Sequence, residues 1–202
     1  MSHRVLDFGL MGDRARILVV AATARELAVP NGWLTLQCGV GPVDSAAATA
    51  AAIAQHRPTA ILQVGIAGAR RRRALAPASL VIGGEARYCD LDVHELWAPR
   101  TVVASPLLLV AVQRVLPTAF TLTIGTSARV GGATYCDVEA MEGFGVLRAA
   151  QLAGVPAIEI RAISNDIEEA DRAQWHCDAA FTAITTVTPL LVAEIQRSLE
   201  NA

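Results

Sequence analysis

Apolar and polar positions along the chain fall into short β-branched runs separated by longer stretches with helical spacing. Arg16 to Ala22 (RILVVAA) is apolar almost throughout, which predicts a strand buried on both faces of a parallel sheet. Trp33 to Cys38 alternates and predicts a second strand. Gly39 to Pro42 predicts a turn, with Asp44 or Ser45 capping an alanine-rich helix to His56. Ala60 to Val64 predicts a third strand, ending at Gly65-Ile66-Ala67-Gly68. Further strands are predicted at Leu80 to Gly83, Thr101 to Ala104, Thr121 to Gly125 and Ala157 to Ile163. Helices are predicted at Pro106 to Val115, Glu139 to Ala153 and Asp178 to Leu199, with Pro189 bending or splitting the last.

Strands alternating with helices predict an α/β fold: a single domain whose twisted, mostly parallel (mixed) central sheet carries helices on both faces. Ligands of such sheets gather at the carboxyl ends of the strands. Gly65 to Gly68, Gly125 to Arg129 and Ser164 to Asp166 all fall at predicted strand ends. The domain is expected over 16–202, with 1–15 as an N-terminal extension before the first convincing strand.

Composition narrows the class. Among 202 residues, 53% are hydrophobic and 18% charged, which excludes a disordered chain. A formal charge of -2 gives no footprint for nucleic acid or an anionic membrane, and the run Arg70 to Arg73 is short enough to be a solvated loop. Cys38, Cys89, Cys136 and Cys177 are widely spaced, as expected of reduced thiols in a cytoplasmic protein. His3, His56, His94 and His176 show no metal-ligand spacing, so neither metal nor cofactor is expected. No apolar stretch reads as both long and uninterrupted enough to span a bilayer, and the start has no signal-peptide pattern.

Two segments carry candidate chemistry. Val138-Glu139-Ala140-Met141-Glu142-Gly143 is expected to open a helix, where acidic residues commonly complement the dipole. Glu159-Ile160-Arg161-Ala162-Ile163-Ser164-Asn165-Asp166 is an apolar strand with an arginine inside it. A buried guanidinium needs partners, and Glu159, Glu139 and Glu142 are the candidates. Gly39-Val40-Gly41 suits a tight turn as well as a phosphate contact.

In order along the chain, ILVVAATARE, GVGPVDSAAATA, VGIAGA, EARYCDLDV, GTSARV, VEAMEG and EIRAISND, with Trp175 beyond, resemble the nucleoside phosphorylase and nucleosidase superfamily. The resemblance covers residues 16 to about 197 and is strongest to its methylthioadenosine/S-adenosylhomocysteine nucleosidase and futalosine hydrolase branch. It implies a nucleoside phosphorylase-like fold, a cytoplasmic homodimer and N-glycosidic hydrolysis of a purine nucleoside without a cofactor. It also implies residue roles. Glu142 would accept the ribose hydroxyls and Met141 would pack against the sugar. Glu26 would orient the attacking water, while Gly68 and Ser164 would line the site. Trp175 would lie near the 5′ substituent. Val93, Leu96 and Trp97 would reach the partner subunit's site.

Three positions set the expected substrate. Methylthioadenosine nucleosidases carry Asp where this chain has Asn165. An amide NH2 can donate to a 6-oxo group and its carbonyl can accept from a protonated N7, so Asn165 points to hypoxanthine rather than adenine. The resemblance therefore implies futalosine as substrate, cleaved to hypoxanthine and dehypoxanthine futalosine in menaquinone biosynthesis. The alternatives are hydrolysis of methylthioadenosine, S-adenosylhomocysteine or aminodeoxyfutalosine, a nucleoside phosphorylase, and a catalytically silent nucleoside-binding protein. Ile66, in place of the Ser or Thr of phosphorylases, favours water over phosphate as acceptor. Arg129 stands at the base-stacking aromatic position; it could stack, grip a substrate carboxylate, or be a solvated arginine.

Overall fold

The computed structural model describes residues 16–131 and 135–202, together with the backbone of Val5–Leu6. Among the described residues nine strands pair into one mixed sheet: β1 (Val5–Leu6), β2 (Ile17–Ala21), β3 (Leu34–Gln37), β4 (Ala60–Ala69), β5 (Leu80–Tyr88), β6 (Thr101–Val103), β7 (Phe120–Thr126), β8 (Val138–Ala140) and β9 (Ala157–Asp166). The sheet is covered by the helices α1 (Pro42–His56), α2 (Pro106–Val115), α3 (Gly143–Leu152) and α4 (Cys177–Glu200). The parallel pairs are β2·β3, β2·β4, β4·β9, β5·β7 and β7·β8; β1·β3, β4·β8, β5·β6 and β5·β9 are antiparallel.

Strand periodicity places core clusters on both faces of the sheet, two of them built on β2. Ile17, Val19 and Ala21 of β2 join Leu62 and Val64 of β4 and Ile158 and Ile160 of β9 under α2 and α4. Leu18 and Val20 point the other way, with Leu34, Leu36 and Ile61, under α1 and α3. Both faces are thus buried, which explains why the central strands read as continuous apolar runs. Gly145 lets α1 and α3 cross closely: a Cβ there would meet the Pro42 carbonyl and the Ser45 hydroxyl at 2.5 Å.

The structure departs from the sequence reading at several points. The cap of α1 is Gly41, with Pro42 in the first turn, so Asp44 and Ser45 lie inside the helix. Gly65 to Gly68 does not end its strand; β4 continues through it to Ala69. Val138 to Ala140 is a strand rather than the start of a helix, and Glu142 is the cap of α3. α4 contains Pro189 and is assigned as one helix. With a mean hydropathy of 1.3 over a membrane-length window, α4 is also long and apolar enough to cross a bilayer, contrary to expectation. Its apolar side is accounted for by the sheet, where Ala180, Ile184, Leu191 and Ile195 are fully buried. Of the expected extension 1–15, Val5–Leu6 pairs with β3, and the rest lies outside the described residues.

Candidate active site

The site occupies a gap in the sheet. β2 pairs with β4 as far as Gln63, and β8 takes the same role from Gly68. Between them no strand among the described residues pairs with this β4 edge, and its backbone groups need other partners. Glu26 accepts the Ile66 N–H at 3.2 Å, and Arg161 donates to the Ile66 carbonyl at 3.4 Å. Two site side chains therefore complete the ladder.

Glu26 ends a 3-10 turn (Ala24–Glu26) after β2 and is 4% exposed. Its Oε2 accepts from both the N–H and the hydroxyl of Thr23, each at 2.8 Å. This is a capping box, and Thr23-x-x-Glu26 spells it. The carboxylate is held on three donors and lines the cavity.

Arg161 lies across β4, fully buried. Its Nε donates to Glu159 at 2.7 Å and Nη2 to Glu142 at 3.2 Å. Gly65 makes room for it: a Cβ there would collide with the guanidinium and come within 2.9 Å of Glu26 Oε1. Burial opposes the arginine's charge, but Glu159, Glu142 and Glu26 outweigh it and hold its pKa above the ordinary value. Burial pushes Glu159 upward, and Arg161 offsets this only in part. Of the three partners expected for Arg161, Glu159 and Glu142 engage it, whereas Glu139 accepts the Gly131 N–H at 2.8 Å. Cys38, buried beside this cluster, has its thiol pushed up to about 12 by burial, with Glu142 adding to the effect.

Glu142 has one donor on each oxygen: Gly41 N–H on Oε1 at 3.2 Å and Arg161 on Oε2. Each oxygen keeps a lone pair, the arrangement that two neighbouring hydroxyls require. At the far end of β9 a register shift opposite Ala67 and Gly68 leaves Ser164 as an extra residue. Such bulges re-aim side chains beside active sites. The Ser164 hydroxyl lies 2.7 Å from Asn165 Oδ1 and 3.1 Å from the Ala67 carbonyl, and Asn165 Nδ2 donates to the Asp166 carbonyl at 2.9 Å.

These residues line a cavity of about 510 Å3, within the range of small-molecule sites. Glu26, Gly68, Met141, Glu142, Ser164, Asn165 and Trp175 all border it. Arg129 does not: it is exposed, and Val130 and Gly131 form the wall beside it. Val93, Leu96 and Trp97 do not border the cavity of their own chain; Leu96 and Trp97 are 88% and 84% exposed. Sequence reading missed Thr23, Val40, Phe181 and Arg172 in the wall, although the capping-box spacing marks Thr23. The arginine run is exposed at Arg71 to Arg73, as expected of a solvated loop, and it also forms ion pairs that sequence reading missed. Arg70 pairs with Glu168, Arg71 with Asp166, and Arg72 and Arg73 with Asp137, tying the end of β4 to the ends of β8 and β9.

A futalosine hydrolase of Streptomyces coelicolor is 34% identical over 186 residues, covering 78% of this chain and 77% of the relative. The chain belongs to the futalosine hydrolase family. No family profile matches it. In fold it is similar to a methylthioadenosine/S-adenosylhomocysteine nucleosidase of Colwellia psychrerythraea solved with adenine, with a TM-score of 0.77, 18% identity and coverage of 94% of this chain and 98% of that one. It is similar also to the futalosine hydrolase of Helicobacter pylori, with a TM-score of 0.72, 15% identity and coverage of 89% and 96%. Family membership makes the chain a hydrolase acting on N-glycosyl compounds, and the cavity above is its candidate centre.

Proposed function

We propose that this chain hydrolyses the N-glycosidic bond of futalosine, a hypoxanthine nucleoside with a carboxyphenyl-ketone at its 5′ end. The observation that carries the choice of base is the Asn165 amide. Nδ2 is held on a carbonyl and Oδ1 beside a hydroxyl, so turning the amide over would set two oxygens against each other at Asp166. The fixed amide retains one N–H for O6 and one lone pair for a protonated N7. An adenine 6-amino group would instead face a donor, and the wasted contact is worth roughly a ten- to hundred-fold preference.

The geometry supports the following chemistry. Glu142 holds the 2′- and 3′-hydroxyls, and these bonds strengthen as the sugar gains oxocarbenium character. Glu26 orients a water and takes its proton as the water oxygen bonds C1′. The C1′–N9 electrons leave with hypoxanthine, which is protonated by solvent because Asn165 has no acid proton to give. Phosphate is a poor competitor here. The Ile66 N–H is already spent on Glu26, and the cavity wall carries five glutamates, Glu26, Glu139, Glu142, Glu168 and Glu169.

The test is the ratio of kcat/KM for futalosine and aminodeoxyfutalosine, which differ at the exocyclic position. The wild type favours futalosine, and Asn165→Asp shifts the ratio toward the amino compound. An unchanged ratio, or a wild type that prefers the amino compound, removes the support for futalosine. The exposed Leu96 and Trp97 also support a homodimer, since a monomer leaves both in water. Light scattering is expected to give a dimer mass that falls to the monomer in a Leu96→Asp, Trp97→Asp variant; a fully active monomeric wild type refutes this.

A further inference from the structure

The cavity wall is strongly acidic, yet the proposed substrate is an anion. Five glutamates border the space, and Arg172 is the one lysine or arginine among the described lining residues. A carboxylate entering it meets repulsion unless a cation answers it. Arg161 cannot serve: it is buried behind Glu142 and already shared with Glu159. Arg129, the other candidate for gripping a carboxylate, is exposed and does not border the cavity.

Arg172 opens the 3-10 turn Arg172–Gln174 between β9 and α4. Its guanidinium lies over the Trp175 ring at 5.6 Å, and Trp175 is fixed in turn by donation from Nε1 to the Glu169 carbonyl at 3.2 Å. The arginine makes no ion pair with a described carboxylate. Glu168 is taken by Arg70 and the Arg71 N–H, and Glu169 accepts the Asp171 N–H. The planar fork is therefore pre-set on one face by an aromatic ring, with its N–H edge free for a bidentate anion. Phe181 stands in the same wall, clasped from outside by Arg25 at 4.4 Å. Two aromatic rings and one cation make a complementary surface for an aryl carboxylate.

We propose that Arg172, seated on Trp175, is the specificity residue that recognises a carboxylate on the 5′ substituent of the nucleoside. This deepens the futalosine reading and rests on it for the identity of the ligand. Its test uses futalosine and the methyl ester of its carboxylate, bound to the Glu26→Ala protein by calorimetry and turned over by the Glu26 protein. With Arg172 present, the acid binds roughly ten-fold or more tightly than the ester, and the advantage shrinks as salt rises. Arg172→Gln brings the two ligands to near equality by weakening the acid and leaving the ester unchanged. Arg172→Lys restores part of the advantage, because it keeps the charge and loses the fork. In turnover the change is in KM rather than kcat, since the contact is far from the breaking bond. An acid-to-ester ratio that survives Arg172→Gln overturns the proposal. The two readings fail separately. If futalosine binds through Arg172 but is not cleaved, the hydrolase reading falls and the carboxylate site stands; if it is cleaved with no acid-to-ester difference, the reverse holds.

Discussion

Replacing Arg161 with methionine keeps much of the side-chain volume and removes the charge. The guanidinium holds two carboxylates at 2.7 and 3.2 Å, in side chains that are 1%, 0% and 5% exposed for Arg161, Glu159 and Glu142. Removing one member of a buried ionic cluster leaves the others uncompensated and costs about 3–5 kcal/mol. For a chain of this length each kcal/mol moves the melting temperature by about 2–4 °C, so the variant melts roughly 6–20 °C below the wild type. The loss depends on pH. Burial already raises Glu159, and Arg161 is the chief influence holding it down. Without the arginine its folded pKa rises further above the unfolded value, and the folded state binds the proton more tightly. Such a group stabilises the fold below its ordinary pKa and loses that contribution as pH climbs through the raised one. The melting deficit is therefore smaller at about pH 5 than at about pH 8. Thermal unfolding followed by circular dichroism at both pH values checks this. A deficit under about 1 kcal/mol, or one independent of pH, would show that the cluster is not the charged anchor described above.

Two further outcomes follow from the site geometry. Glu26→Ala removes the acceptor of Thr23 and Ile66 and the proton acceptor for water; hydrolysis is lost while calorimetry still detects substrate, and lost binding with normal turnover at saturation would reject the role. Glu142→Gln keeps the fold and lowers kcat/KM by about 1.5–3 kcal/mol, the worth of a charge-assisted contact, and near wild-type kinetics would refute the ribose assignment.

The sequence was informative where the pattern is local. The two-faced burial of β2 follows from its unbroken apolar run, and the proline at the start of α2 marks its first turn. It failed where distant partners decide. Val138 to Ala140 is too short to show a period, and its acidic residues suit a helix start; it is a strand because β4 and β7 lie on either side. Gly65 looks like a strand end because glycine usually interrupts. Here it keeps the strand and gives up its side chain to Arg161, 96 positions along. The arginine run is exposed at Arg71 to Arg73, as it reads, but its ion pairs could not be seen because the carboxylates, Asp137, Asp166 and Glu168, lie far off in sequence.

The Ile66 peptide links the two halves of the chemistry. Its N–H is bound to Glu26, proposed above to orient the water, and its carbonyl receives the arginine that holds Glu142, proposed above to bind the ribose. A strand in the usual place would take both groups into its ladder and cost Glu26 and Arg161 one anchor each. The interruption of the sheet between Gln63 and Gly68 is therefore what sets the two carboxylates at defined places on either side of one peptide. Preorganisation of this kind lowers the barrier because the groups need not reorient as charge develops at C1′. It also explains the burial of so much charge in a small domain. Glu159 does not border the cavity described above, yet without it Arg161 would have one carboxylate fewer and a looser hold on Glu142.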